Sequence, residues 1–155
     1  MTAVISECGQ YRYMLKRVWG KGPMLPFCML NPSTADAEQD DPTIRRCIGF
    51  AKREGYGGII VVNLFAFRAT SPKVMQSAAF PFGPDNHWHL SEVAKAAKLY
   101  DVPIICAWGS NARGDTVMQI FREAGTRTVC FGKTKDGSPR HPLYVRADQP
   151  LEAYP

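Results

Sequence analysis

The sequence predicts an α/β domain with a mostly parallel sheet, and three observations carry that prediction. Apolar runs at Phe27–Leu30, Ile59–Leu64 and Val102–Trp108 lack the in–out alternation of a half-solvated strand. Continuous apolar character is what a strand covered on both faces requires. Between these runs lie stretches whose apolar residues recur at helical spacing. The order that results is strand, helix, strand, helix, strand, helix, strand, the pattern of an α/β fold. At 155 residues, the chain fits one domain, 1–155, with a single sizeable core.

Taken in order, "QYRYMLKRVW" (residues 10–19) loosely alternates apolar and charged side chains. "GKGP" then reads as a turn into "MLPFCML", which predicts an N-terminal antiparallel hairpin or ribbon feeding a central strand. Asp41-Pro42 reads as an N-cap followed by proline in the first helical turn. That helix runs to about Glu54 and stops at Gly55, with Ile44, Cys47, Ile48 and Ala51 on its apolar face. The strand Ile59–Leu64 is interrupted only by Asn63. A loop punctuated by Pro72, Pro81 and Pro84 leads to a helix from about Asp85 to Tyr100, with Leu90, Val93, Ala94 and Ala97 facing the core. "VPIICAWGSNA" is a third strand with a polar end, Thr116–Ala124 a helix, "TRTVCFG" a fourth strand, and "DGSPRHPLYV" a loop into the tail.

Lysine and arginine total 19 against 14 acids, and the resulting +5 permits an anionic partner without requiring one. No apolar run approaches the roughly 20 residues of a membrane span, and the N-terminus lacks the pattern of a signal peptide. The expected location is the cytoplasm, with no membrane partner. The five cysteines are odd in number, widely spaced and without a C-x-x-C pair. They are expected to be reduced structural thiols, with no metal and no cofactor. His87 and His89 flank Trp88 at a spacing that diverges on a helix, so both are expected on the surface at a helix start.

Ligands of open α/β sheets bind beyond the carboxyl ends of the strands. Here those ends carry Asn31-Pro32-Ser33-Thr34, then Asn63 with Arg68-Ala69-Thr70, then Trp108-Gly109-Ser110-Asn111, then Arg140-His141-Pro142. Each cluster alone reads as a turn, a cap or a loop. Four on one rim read as a site.

Four segments resemble, in the same order, motifs of the uracil-DNA glycosylase superfamily. "MLNPST" resembles its first catalytic motif, and "GIIVVNLFAFRAT" its strand broken by a base-reading Asn. "ICAWGSNA" resembles the family's "LLWGSHA" strand, and "PRHPLYV" its second catalytic motif. Nearly the full length also resembles a closer family of short bacterial and phage proteins that carry "LNPSTAD…DDPT" and have no assigned function. The glycosylase resemblance implies a three-layer α/β/α sandwich around a four-stranded, mainly parallel sheet. It implies cleavage of an N-glycosidic bond to a uracil-like or modified pyrimidine in nucleic acid or a nucleotide.

The residues suit that chemistry. A buried amide at Asn63 offers both donor and acceptor to a pyrimidine edge. Asn31, held by Pro32, would orient the attacking water, and His141 would donate to the base oxygen as charge builds there. Arg68, Arg113 and Arg140 would hold phosphates; Ser33, Phe65, Ser110 and Asn111 complete the expected binding set. Ser33 stands where the family often has a thymine-excluding aromatic. Phe65, Phe67 and Trp108 are alternatives for the stacking platform, and Leu143 and Tyr144 for a wedge into duplex. The acid-rich loop 34–41 would repel a DNA backbone, which points toward a free nucleotide, a single strand or a modified base. Two other readings are a non-catalytic nucleic-acid- or nucleotide-binding module on the same fold and a nucleotide-processing enzyme of different bond chemistry.

Overall fold

The computed structural model describes residues 2–155. It is an α/β structure whose single sheet has seven strands: β1 (Thr2–Ile5), β2 (Arg12–Val18), β3 (Met24–Met29), β4 (Gly58–Asn63), β5 (Ile104–Cys106), β6 (Thr128–Cys130) and β7 (Glu152–Ala153). Their order across the sheet is β1-β2-β4-β3-β5-β6-β7. The four strands expected from sequence form its parallel centre, β4-β3-β5-β6. The four-stranded expectation is corrected at the edges. Antiparallel β1 and β2 extend one side, and β7 pairs antiparallel with β6 on the other.

An N-terminal antiparallel hairpin is present, formed by β1 and β2, and only the pairing expected through "GKGP" into β3 is corrected. β2 pairs with β1 and β4, not with β3. The chain between β2 and β3 crosses the start of β4, where the Gly57 amide donates to Pro23 O and the Trp19 amide to Gly57 O, both at 2.9 Å. A Cβ on Gly57 would lie 2.5 Å from the Gly22 amide nitrogen. Two facing glycines therefore permit a crossing where other residues would force the chain to turn back.

Helices cover both faces. α1 (Pro42–Arg53) buries Ile44, Cys47, Phe50 and Ala51 against Leu25, Phe27, Ile59 and Val61. α3 (Asn86–Leu99) and α4 (Asp115–Ala124) bury Leu90, Val93, Ala94, Ile120 and Phe121 against Cys28, Val62 and Ile104 on the other face. Alternate residues of β3 and β4 thus serve opposite cores, which is why these strands read as unbroken apolar runs. Asp41 caps α1 as expected, its carboxylate accepting from the Ile44 amide at 2.9 Å with Pro42 in the first turn. A short helix α2 (Pro72–Ser77) occupies part of the expected loop and buries only Met75.

The cysteines are free, with Cys8 exposed and the other four buried, and burial pushes the Cys28, Cys47 and Cys106 thiols up. Among the described residues no helix is long and apolar enough to cross a membrane. His87 is exposed, but His89 departs from the expected surface position. It is half-buried, its ring stacked on Tyr13 with centroids 5.0 Å apart.

Candidate functional site

A cavity of about 520 Å³ opens at the carboxyl ends of β3, β4 and β5 on the α1 side. Every parallel strand of the sheet's centre reaches it directly or through its following loop. Of the residues expected from sequence, Asn31, Ser33, Asn63, Ser110, Asn111, Arg140 and His141 line it. Three do not. Pro32 is buried beneath the rim, where its carbonyl accepts from Asn31 Nδ2 at 3.0 Å and from the Ala69 amide at 3.0 Å. Phe65 turns to the opposite core and packs with the α3–α4 cluster. Arg68 lies outside the wall, beside the Gly9 carbonyl at 3.5 Å. Of the aromatic alternatives Trp108 touches the cavity, whereas Phe67 packs edge-on against Tyr11. Leu143 and Tyr144, 44% and 76% exposed, form its lip.

Asn63 ends β4 and points to the α1 face, in step with Val61 and Ile59. It is 1% exposed, and among the described residues neither Nδ2 nor Oδ1 has a hydrogen-bond partner. Backbone pinning at this strand end falls instead to Asn86, the first residue of α3. Its Nδ2 donates to the carbonyls of Asn63 at 3.1 Å and Leu64 at 3.3 Å. An unpaired buried amide is among the less favourable things a core contains.

Asn31 has a fixed orientation. Its Nδ2 donates to the carbonyls of Pro32 at 3.0 Å and Ala69 at 2.9 Å, with Phe67 at 3.5 Å. Three carbonyls around one nitrogen decide which end of the amide is which, so Oδ1 is left as an acceptor. His141 is likewise assigned by its neighbours. The Leu143 amide donates to its Nδ1 at 3.2 Å, which places the proton of the neutral ring on Nε2. Burial lowers its pKa, with Asp41 opposing, so the ring is a neutral donor at pH 7. The turn that carries it, Pro142–Tyr144, is held from α1. Arg46 donates through Nε to Pro142 O at 3.1 Å and through Nη2 to Val145 O.

Asn111 sits in the left-handed region (φ 67°), next to Gly109 at φ 81°. Its amide donates to Asp136 Oδ2 at 3.4 Å. Thr134 and Ser138 bond that carboxyl and hold it down at about 2, so it stays ionised. The loop 134–138 thereby fixes the Ser110–Asn111 step at the rim.

Two residues of the wall were not legible as site residues. Asp41 is the cavity's only carboxylate among the described residues; Oδ1 caps α1 while Oδ2 has no hydrogen bond. Arg12 joins the wall through a β-bulge. Val4 pairs with Met14 but Ile5 with Arg12, so one extra residue is accommodated between them. Tyr13 consequently stacks toward α3 while Arg12 shares the α1 face with Leu15 and Arg17. Bulges beside sites re-aim side chains in this way.

The acids of loop 34–41 have different surroundings. Asp36 Oδ1 accepts from the Glu38 and Gln39 amides at 2.8 and 2.9 Å. Asp40 pairs with the buried Arg17 at 2.7 Å. Arg17 also donates to the carbonyls of Asp36 and Gln39. Asp40 is thus the loop acid matched by a buried arginine, while Glu38 stays exposed.

Over residues 12–143 the chain matches the family described as Protein of unknown function (DUF1643). No curated protein and no solved structure matches it.

Proposed function

We propose that this chain, which belongs to DUF1643, holds a nucleobase in the cavity and acts as a glycosylase-like hydrolase. It would cleave the N-glycosidic bond of a uracil-like or modified pyrimidine in nucleic acid or a nucleotide. The observation that carries the reading is the Asn63 amide, buried at 1% exposure with donor and acceptor both unpartnered. That combination matches the carbonyl and ring N–H of a pyrimidine edge. A base that leaves the amide unpaired is rejected.

In this reading Asn31 Oδ1 accepts a hydrogen bond from the attacking water and sets its direction. An amide is too weak a base to take the proton. Asp41, with Oδ2 free, is the residue in the wall able to do so. His141 presents Nε2–H to the base oxygen, where negative charge develops as the bond to the sugar breaks. The neutral ring donates there because the Leu143 amide holds Nδ1 as the acceptor and leaves the proton on Nε2. Helices on both faces of a parallel four-strand centre are in keeping with a glycosylase-like sandwich.

A second reading is a base- or nucleotide-binding module without catalysis. It is favoured by the Asn31 amide nitrogen being tied to carbonyls, with no carboxylate at that strand end. Incubation with uracil-containing single- and double-stranded oligonucleotides and with uridine monophosphate, scored for abasic sites or free uracil, separates the two. Release that Asp41→Asn abolishes supports the hydrolase; tight binding with no release supports the module. Neither binding nor release retires both.

A further inference from the structure

Arg12 is 2% exposed and lines the cavity, yet among the described residues its guanidinium makes one hydrogen bond, from Nη1 to the Ala35 carbonyl, at 2.7 Å. Nε has no partner, and no carboxylate forms an ion pair with it among the described residues. A guanidinium carries five N–H donors in a planar fork. Here the Nε–Nη2 edge, the side that grips two oxygens at once, is unused by the protein. Burying a charge with so little compensation is unfavourable unless something else supplies it.

Holding the loop does not account for the residue. Arg17, five residues further along β2 and on the same face, already binds Asp40 and the carbonyls of Asp36 and Gln39. Burial pushes the Arg12 pKa down to about 10, with Asp41 and Asp36 raising it and Arg68 and Arg17 lowering it further. The group therefore remains a cation at neutral pH. β2 and β4 are adjacent and antiparallel, with Leu15 opposite Val61. Arg12 and Asn63 thus lie on neighbouring strands and one face, the two buried groups of this wall with unpaired donors.

We infer that Arg12 is an oxyanion-binding residue, and that the ligand of this cavity carries a phosphate or carboxylate within reach of the base read by Asn63. The inference rests on the base-binding reading for its second half only. The fork binds a pair of coplanar oxygens bidentately, which both a phosphate and a carboxylate present. A substrate so described is a nucleoside phosphate or a pyrimidine bearing a carboxylate, and a neutral nucleoside satisfies only part of the wall.

The test is calorimetric titration of the full chain with uridine, uridine monophosphate, a pyrimidine carboxylate and inorganic phosphate. At least one of the two anionic pyrimidines is expected to bind roughly tenfold to a hundredfold tighter than uridine; which one distinguishes the two sources. Arg12→Met is expected to abolish that preference and leave uridine affinity near wild type. Arg12→Lys keeps the charge without the fork and guards against misfolding of the first variant; it is expected to lose most of the preference with near-native melting. Equal affinity of the wild type for all three pyrimidines, or a preference that survives both substitutions, overturns the inference. If no pyrimidine binds while inorganic phosphate does, and Arg12→Met removes it, the oxyanion site stands and the base-binding reading falls. If phosphate fails as well, both fall.

Discussion

Replacing Asn63 by Leu puts an apolar side chain of similar size where the structure shows an amide with no partner on either atom. An unsatisfied buried polar group of this kind costs about 1–3 kcal/mol. Removing it deletes that penalty and breaks no hydrogen bond of the folded protein. Asn63→Leu is therefore expected to raise stability by about 1–3 kcal/mol, or about 2–4 °C in melting temperature per kcal/mol for a chain of this size. It is also expected to abolish pyrimidine binding. Stability gained and function lost together is the signature of a residue kept for a ligand. The assay is thermal unfolding by calorimetry beside uridine and uridine monophosphate titrations. A variant that melts below wild type would refute the reasoning, because it would mean that the amide is bonded within the protein. Unchanged nucleotide affinity would refute it from the other side.

Asp41 joins a cap to the cavity, and two substitutions separate these. Asp41→Ala should cost about 1 kcal/mol of stability, whereas Asp41→Asn retains a good cap; both should reduce glycosidic cleavage by about 10²–10⁴-fold if the carboxylate takes the water's proton. Asn86→Ala removes both bonds to the Asn63 and Leu64 carbonyls. It should lower stability by about 1–3 kcal/mol and weaken uridine binding at temperatures well below melting, as paired melting and titration experiments would show. For His141 the sign is set by its lowered folded pKa. The unfolded chain takes up the proton first, near pH 6.5, so stability present above that pH is lost as pH falls through the folded value. Protonation also sets Nδ1–H against the Leu143 amide. His89, lowered by burial as well, acts with the same sign. Urea unfolding across this window should show the loss, and His141→Gln should reduce it; stability that rose on acidification would contradict the assignment.

The parallel centre was legible because burial on both faces leaves a plain mark, an apolar run without alternation, as in Ile59–Leu64. For the same reason Asn63 stood out: a polar residue in such a run is conspicuous. The α1 cap was legible because Asp-Pro before a periodic stretch has a local mechanism. What escaped depends on contacts between distant segments. Arg12 reads in sequence as the charged position of an alternating strand, and only the bulge opposite Ile5 turns it inward. The crossing at Gly22 and Gly57 looks like a hairpin turn until the second glycine is seen to lie against the first. β1 and β7 are edge strands of four and two residues, too short to carry a period. Asn86 offered one weak sign, an amide on the buried side of a helix start. That Asp40 folds onto the buried Arg17 was not legible either, because charge counted along a chain does not show such pairings.

The most direct test of a base site at Asn63 is a crystal structure of the protein with bound uridine monophosphate. The account predicts the pyrimidine edge within hydrogen-bond distance, about 3 Å, of both Asn63 Nδ2 and Oδ1, with its oxygen facing His141 Nε2. A nucleotide seated elsewhere, with the Asn63 amide still unpaired, would contradict it.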